Sequence, residues 1–212
     1  MKPDKKSTGV VVVDIQGDFT EYKCGSLAVE GTDKAYVEMV SEVTQQLKDK
    51  GLKLFATQDW HPENHVSFIS SHKDRAVMDV VDVDGRTQVL WPPHCVMETP
   101  NAEVLVDNRL FDAIVKKGCD PGFDSYSGFF DDGGADTGLN RILKEQGLNT
   151  LIVYGLATDY CVKFTAMDAV TSGFKVFLAE DLCKGVSPDT TVSALEEMKK
   201  AGIRIVRSED IL

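Results

Sequence analysis

The sequence predicts an α/β protein built on a six-stranded, mostly parallel sheet with helices on both faces, a Rossmann-like three-layer sandwich. Three observations carry that expectation. Short β-branched apolar runs alternate with amphipathic stretches. The runs lack polar alternation, as strands covered on both faces do. The 212 residues are 42% hydrophobic and 27% charged, an ordinary globular balance. No repeat, linker or low-complexity tract divides the chain, so residues 1–212 read as one domain with a loop insertion at about 59–112.

Residues 8–14 (TGVVVVD) form the first expected strand. A helix follows over 32–50, where Val37, Val40, Val43 and Leu47 recur at three- and four-residue steps and Gly51 closes the end. Residues 52–58 (LKLFATQ) and 113–117 (AIVKK) are the second and third strands. Asp136 is the expected cap of a helix running to Gln146 and closed by Gly147, and 150–154 (TLIVY) is the fourth strand. Thr158 is expected to cap a helix ending near Gly173, before a fifth strand at 175–179 (KVFLA). Ser187-Pro188 opens the last helix, with proline at its first position and Gly202 at its end, and 203–207 (IRIVR) is the sixth strand. Residues 59–112 break this rhythm. They read as loop-rich and hold all four histidines and both tryptophans, and long insertions of this kind usually carry function.

Charge and cysteine usage narrow the function classes. Lys and Arg total 23 against 34 Asp and Glu, a net charge of −11, which repels phosphate backbones and anionic lipid. Nucleic-acid and membrane partners are therefore not expected. The polar, basic residues 1–8 and the short apolar run after them do not make a signal peptide, and no stretch reaches the roughly 20 apolar residues of a membrane helix. Five cysteines without a C-x-x-C pair imply reduced thiols and a cytoplasmic protein, monomeric or homo-oligomeric.

In an open parallel sheet ligands bind beyond the carboxyl ends of the strands. Four expected strands end in reactive residues: Asp14; Asp59-Trp60-His61; Lys117; and the turn Gly155–Cys161. Cys161, falling in a helical first turn after Thr158, gains from free N–H groups and the helix dipole. From that segment alone an inert buried cysteine is an equal alternative. Cys24, Cys95, Cys119 and Cys183 lack such a position and read as structural. Asp14 emerges from four valines, so burial would raise its pKa and suit it to proton transfer. Lys117 could supply the compensating positive charge, although most strand-end lysines reach solvent. Asp59 and His61, two apart, point to one face, and His94 in W-P-P-H-C can complete a carboxylate and two-imidazole site suited to Zn, Fe or Mn. The alternative is three ordinary surface histidines. His65 reads as a supporting neighbour of that site and His72 as surface.

The strings V-V-D-I-Q-G-D-F, A-T-Q-D-W-H-P-E-N-H-V-S-F, W-P-P-H-C-V, D-S-Y-S-G-F-F-D and G-L-A-T-D-Y-C-V-K-F-T-A, in this order along nearly the whole chain, resemble the nicotinamidases of the isochorismatase-like cysteine hydrolases. The resemblance implies hydrolysis of nicotinamide to nicotinate and ammonia in NAD salvage, with pyrazinamide as a further substrate and one divalent metal, zinc foremost, as cofactor. It implies that Asp14, Lys117 and Cys161 are catalytic, and that Asp59, His61 and His94 bind the metal. Phe19, Trp91 and Tyr126 would wall the ring pocket. A cis Leu156–Ala157 peptide would aim the Ala157 and Cys161 amides at an oxyanion. Lys116 departs from the family, where some members have His, at a position expected to be peripheral. Related hydrolases acting on N-carbamoyl or ureido compounds, and a non-catalytic ligand or metal sensor, are the alternatives.

Overall fold

Four consecutive valines make the first strand the middle of the sheet. The computed structural model describes residues 4–212; residues 1–3, the start of the polar N-terminal stretch, lie outside them. In chain order the strands are β1 (Thr8–Val13), β2 (Lys53–Asp59), β3 (Val80–Val83), β4 (Arg86–Val89), β5 (Ala113–Lys117), β6 (Thr150–Gly155), β7 (Lys175–Ala179) and β8 (Arg204–Val206). The helices are α1 (Lys34–Asp49), α2 (Leu139–Glu145), α3 (Lys163–Thr171), α4 (Pro188–Lys200) and the short α5 (Ser208–Ile211).

Six strands form one sheet in the order β5-β2-β1-β6-β7-β8, with every pairing parallel. All of β1 is buried, and each valine removed from water there contributes roughly 2 kcal/mol. Because the strands are parallel, their carboxyl ends share one rim. The register sets Asp59 beside Lys117 and Val13 beside Gly155. From β1 the chain winds outward through β2 to β5, then returns to the other side of β1 with β6. The reversal between β1 and β6 opens the crevice where such sheets bind ligands.

Helix α1 follows its sequence signals. Asp33 accepts the Tyr36 N–H (2.9 Å) as N-cap, Gly51 takes φ +85° beyond the C-terminus, and the apolar stripe turns inward. Thr44 and Tyr154 share a buried hydroxyl bond of 2.8 Å that ties α1 to β6.

Four features differ from the sequence expectation. Asp136 does not cap α2; its carboxylate accepts the Gly138 N–H (2.7 Å) in the turn before, and the helix begins only at Leu139, after Gly138 at φ +93°. Thr158 makes no side-chain cap, and α3 begins at Lys163 rather than near Thr158. Residues 158–162 form a wide turn closed by the Val162 N–H on the Ala157 carbonyl (3.1 Å), with Tyr160 at non-helical dihedrals. The cause is Asp159, whose carboxylate accepts from the N–H groups of Val186 and Ser187 and the hydroxyl of Thr190, holding the turn to the start of α4. The insertion contains an antiparallel hairpin, β3–β4, turned by Asp84-Gly85 with both residues at positive φ. Finally, α5 is a C-terminal helix anchored by Ser208 on Asp181 (2.6 Å).

Gly155 ends β6 at φ +137°, and a Cβ there would meet the Val13 carbonyl oxygen at 2.0 Å. The obstacle is backbone, so it cannot rotate away. Gly155→Ala is expected to lower unfolding free energy by about 3 kcal/mol; a urea midpoint equal to wild type would contradict this reading of the β1–β6 crevice.

Candidate active site

Lys117, on the last position of β5, is the point where the strand ends converge. Its side chain is fully buried. The ammonium lies 3.0 Å from Asp14 Oδ2, bonds Asp59 Oδ1, donates to the Ser125 carbonyl (2.7 Å) and reaches Cys161 Sγ at 3.5 Å. The second Asp14 oxygen, Oδ1, accepts from Thr57 Oγ1 at 2.6 Å. Asp14 itself holds φ +46°, a left-handed conformation that Asp tolerates better than most residues, so the chain turns sharply off β1 at the carboxylate. The expected grouping of Asp14, Lys117 and Cys161 is thus present as a contacting set.

The charges of this set are interdependent. Burial opposes the charge on Lys117, but the Asp14 and Asp59 carboxylates outweigh it and hold the ammonium protonated well above its usual range. Burial raises Asp14, against the pull of Lys117. Burial also raises the Cys161 thiol well above its ordinary value, with Lys117 working the other way and Asp14 adding to the rise. At neutral pH Cys161 therefore rests as a thiol, in contact with the Asp14 and Lys117 pair. Moving its proton to Asp14 leaves the charge of the cluster unchanged, which a low-dielectric site favours over net ionisation.

Asp59, His61 and His94 form the other wall. Their donor atoms all lie within 4.8 Å of one another, and all three residues are buried. The Gly118 carbonyl accepts from His61 Nδ1 and the Pro92 carbonyl from His94 Nδ1, each at 2.8 Å. Both Nε2 lone pairs are thereby left free, the arrangement of metal-ligating histidines. His61 Nε2 is buried with no hydrogen-bond partner among the described residues, 3.5 Å from Asp59 Oδ2. An orphaned buried lone pair facing a carboxylate fits a divalent cation. Burial, assisted by His61, lowers His94 to about 4, so it is neutral and able to ligate at pH 7. Burial works against the charge of Asp59, yet Lys117, His61 and His94 hold its carboxyl below the usual range.

His65 is no free ligand. Its Nε2 donates to the Phe123 carbonyl (3.2 Å), its Nδ1 accepts from Ser67 Oγ (2.8 Å), and its ring lies 4.2 Å from His61. His72, expected at the surface, is half-buried and pins the insertion through the Val66 carbonyl (2.7 Å). Lys116 stacks over Trp60, its ammonium 3.5 Å from the ring centre.

A cavity of about 430 Å³, mouth included, joins the two walls. Phe19, Trp91 and Tyr126 line it as expected, with Ala157 and Cys161 at one side and Asp59 and His94 at another. Trp91 Nε1 donates to Tyr126 Oη at 3.0 Å, locking two of the aromatic walls together. The Leu156–Ala157 peptide is cis.

Sequence reasoning missed several contributors. Gln16 clamps the Asp59 backbone, taking its N–H on Oε1 and giving Nε2 to its carbonyl, both at 2.8 Å. Thr57 orients Asp14, and Ser125 fixes Lys117 through its backbone. Asp124 and Tyr160 line the cavity. The signal for Thr57 and Asp59 together was the period-two spacing at the end of β2; the others sit in the quoted strings but announce no chemistry there.

The isochorismatase domain family profile matches residues 8–210. A nicotinamidase of Acinetobacter baylyi is 37% identical over 96% of this chain and 94% of its own length. Among solved structures, PnC1 from L. infantum in complex with nicotinate superposes with a TM-score of 0.85 at 34% identity, covering 100% of this chain and 98% of that one. Pyrazinamidase of Pyrococcus horikoshii in complex with zinc gives 0.78 at 39% identity, over 95% and 99% of the two chains.

Burial, reinforced by His61, lowers His65 to about 4 from 6.5. The unfolded chain therefore takes up a proton at His65 that the folded protein refuses between those values. Its contribution is complete above pH 6.5 and is lost as pH falls towards 4. In chelator-treated protein, stability is expected to fall with acid more steeply in wild type than in His65→Asn; equal slopes in urea titrations from pH 7 to 4 would contradict this.

Proposed function

The chain belongs to the isochorismatase domain family, and from that premise we propose that it acts as a nicotinamidase, hydrolysing nicotinamide to nicotinate and ammonia in NAD salvage, and deamidating pyrazinamide on the same site. The observation that carries the reading is a thiol, a carboxylate and an ammonium in contact at one wall of an aromatic cavity, with a metal donor set at the other. No helix among the described residues is long and apolar enough to cross a membrane, and the five cysteines are free, which agrees with a cytoplasmic enzyme.

Asp59, His61 and His94 would hold one divalent ion, with zinc foremost because a similar pyrazinamidase is in complex with zinc, and the ion would supply a Lewis-acid anchor for the pyridine nitrogen. Phe19 and Trp91 flank the ring and Tyr126 closes it, so the carboxamide carbon is presented to Cys161 Sγ. Asp14 takes the thiol proton while the Lys117 ammonium balances the thiolate charge, and the thiolate adds to the carbonyl. The backbone amides of Ala157 and Cys161 receive the oxyanion. Asp14 returns its proton to nitrogen as the C–N bond breaks, releasing ammonia and leaving a thioester on Cys161. Asp14 then takes a proton from water, the hydroxyl oxygen bonds the acyl carbon, and the C–S bond breaks to give nicotinate. The thiol regains its proton.

Purified protein supplied with nicotinamide is expected to release ammonia and nicotinate over many turnovers to exhaustion; a single equivalent or none would overturn the reading. Cys161→Ala is expected to lose on the order of 10⁴-fold or more in kcat while retaining bound metal. Substantial residual turnover there would instead assign the nucleophile to metal-activated water. His94→Ala is expected to weaken metal and substrate binding together, and full metal content in that variant by elemental analysis would contradict the ligand set.

A further inference from the structure

Asp124 is a carboxylate that the mechanism does not use. It is buried, 4% exposed, and lines the cavity together with Cys161, Asp59 and His94. Its oxygens accept from neutral donors only: Gln88 Nε2 on Oδ2 and its neighbour Ser125 N–H on Oδ1, each at 2.8 Å. Among the described residues no Lys or Arg forms an ion pair with it, whereas Asp14 and Asp59 share Lys117. A donor atom of His61 and one of His65 lie within 4.8 Å of it, and both rings are committed, His61 to the metal donor set and His65 to Ser67 and Phe123. Asp124 therefore places on the cavity wall a carboxylate that no Lys or Arg among the described residues pairs with. Desolvating an uncompensated carboxylate costs stability, and removing it would cost the proposed chemistry no proton, nucleophile or ligand.

The reaction proposed above converts a neutral carboxamide into an anionic carboxylate in the same cavity. We infer that Asp124 is a specificity-determining residue that makes the cavity favour the neutral amide and disfavour the carboxylate product, so that hydrolysis itself weakens binding and speeds release. A buried charge acting across the width of a ring is worth about tenfold or more in affinity at an intermediate dielectric constant. Ligands of the same shape and no charge escape the effect. The inference rests on the nicotinamidase reading.

The test is product inhibition in the metal-loaded enzyme, read as the ratio of the nicotinate inhibition constant to the nicotinamide KM. Asp124→Asn is expected to lower that ratio about tenfold, whatever happens to kcat, and Asp124→Glu to restore it. A purely structural role would move both constants together and leave the ratio fixed, and that outcome overturns the inference. If Asp124→Asn fails to fold, the wild-type protein still decides: calorimetry is expected to give nicotinate a Kd at least about tenfold above that of neutral, isosteric 3-acetylpyridine. Equal or tighter nicotinate binding refutes the inference. Absence of nicotinamide turnover in wild type would instead refute the underlying function.

Discussion

Everything at the carboxyl rim of the sheet depends on keeping one ammonium group, Lys117 Nζ, charged and out of water. Burying a lone lysine is costly, and the cost is offset only because Asp14, Asp59 and the Ser125 carbonyl surround it. Those partners come from the ends of β1 and β2 and from the loop after β5, so the pairing order β5-β2-β1 is what assembles them around Lys117. The same contact sets the chemistry. With Lys117 fixed between two carboxylates, moving the Cys161 proton to Asp14 is an internal shift rather than a net ionisation, and in the proposed mechanism that shift activates the thiol.

The two walls of the cavity are joined through Asp59. One oxygen binds Lys117 and the other faces His61 Nε2, which has no hydrogen-bond partner among the described residues, so the carboxylate joins the Lys117 cluster to the imidazole pair. Gln16 holds the Asp59 backbone from the β1 side, and the Gly118 and Pro92 carbonyls hold the imidazoles. Gly118 follows Lys117 directly, so a single backbone step carries the ammonium and orients the His61 ring. The donor atoms of this wall are thus held by main-chain anchors, and the aromatic residues shape the cavity beside them.

Much of this was legible in the sequence because reactive residues end buried strands. Four valines before Asp14, the β2 run into Asp59, and AIVKK before Gly118 give strand ends whose positions follow from hydrophobic pattern alone. Cys161 was legible as a residue near a helix start, but its wide turn was not: the shape comes from Asp159 reaching across to α4, a contact without a local signal. Asp136 misled because an Asp before an apolar period caps either a helix or the preceding turn, and here the turn takes it. The β3–β4 hairpin was visible in D-G but hidden by the irregular composition around it. Ser125 and Asp124 acquire roles only from long-range pairing, which no spacing in the chain reveals.

The central claim is that the reaction passes through an acyl group on Cys161. Its most direct test is partitioning: nicotinamide and methyl nicotinate are turned over separately in the presence of hydroxylamine, and the ratio of nicotinohydroxamate to nicotinate is measured for each. A shared thioester requires one ratio for both substrates, since the intermediate has lost its leaving group before the nucleophiles compete. A ratio that depends on the leaving group would mean that water and hydroxylamine attack the bound substrate directly, and would contradict the account.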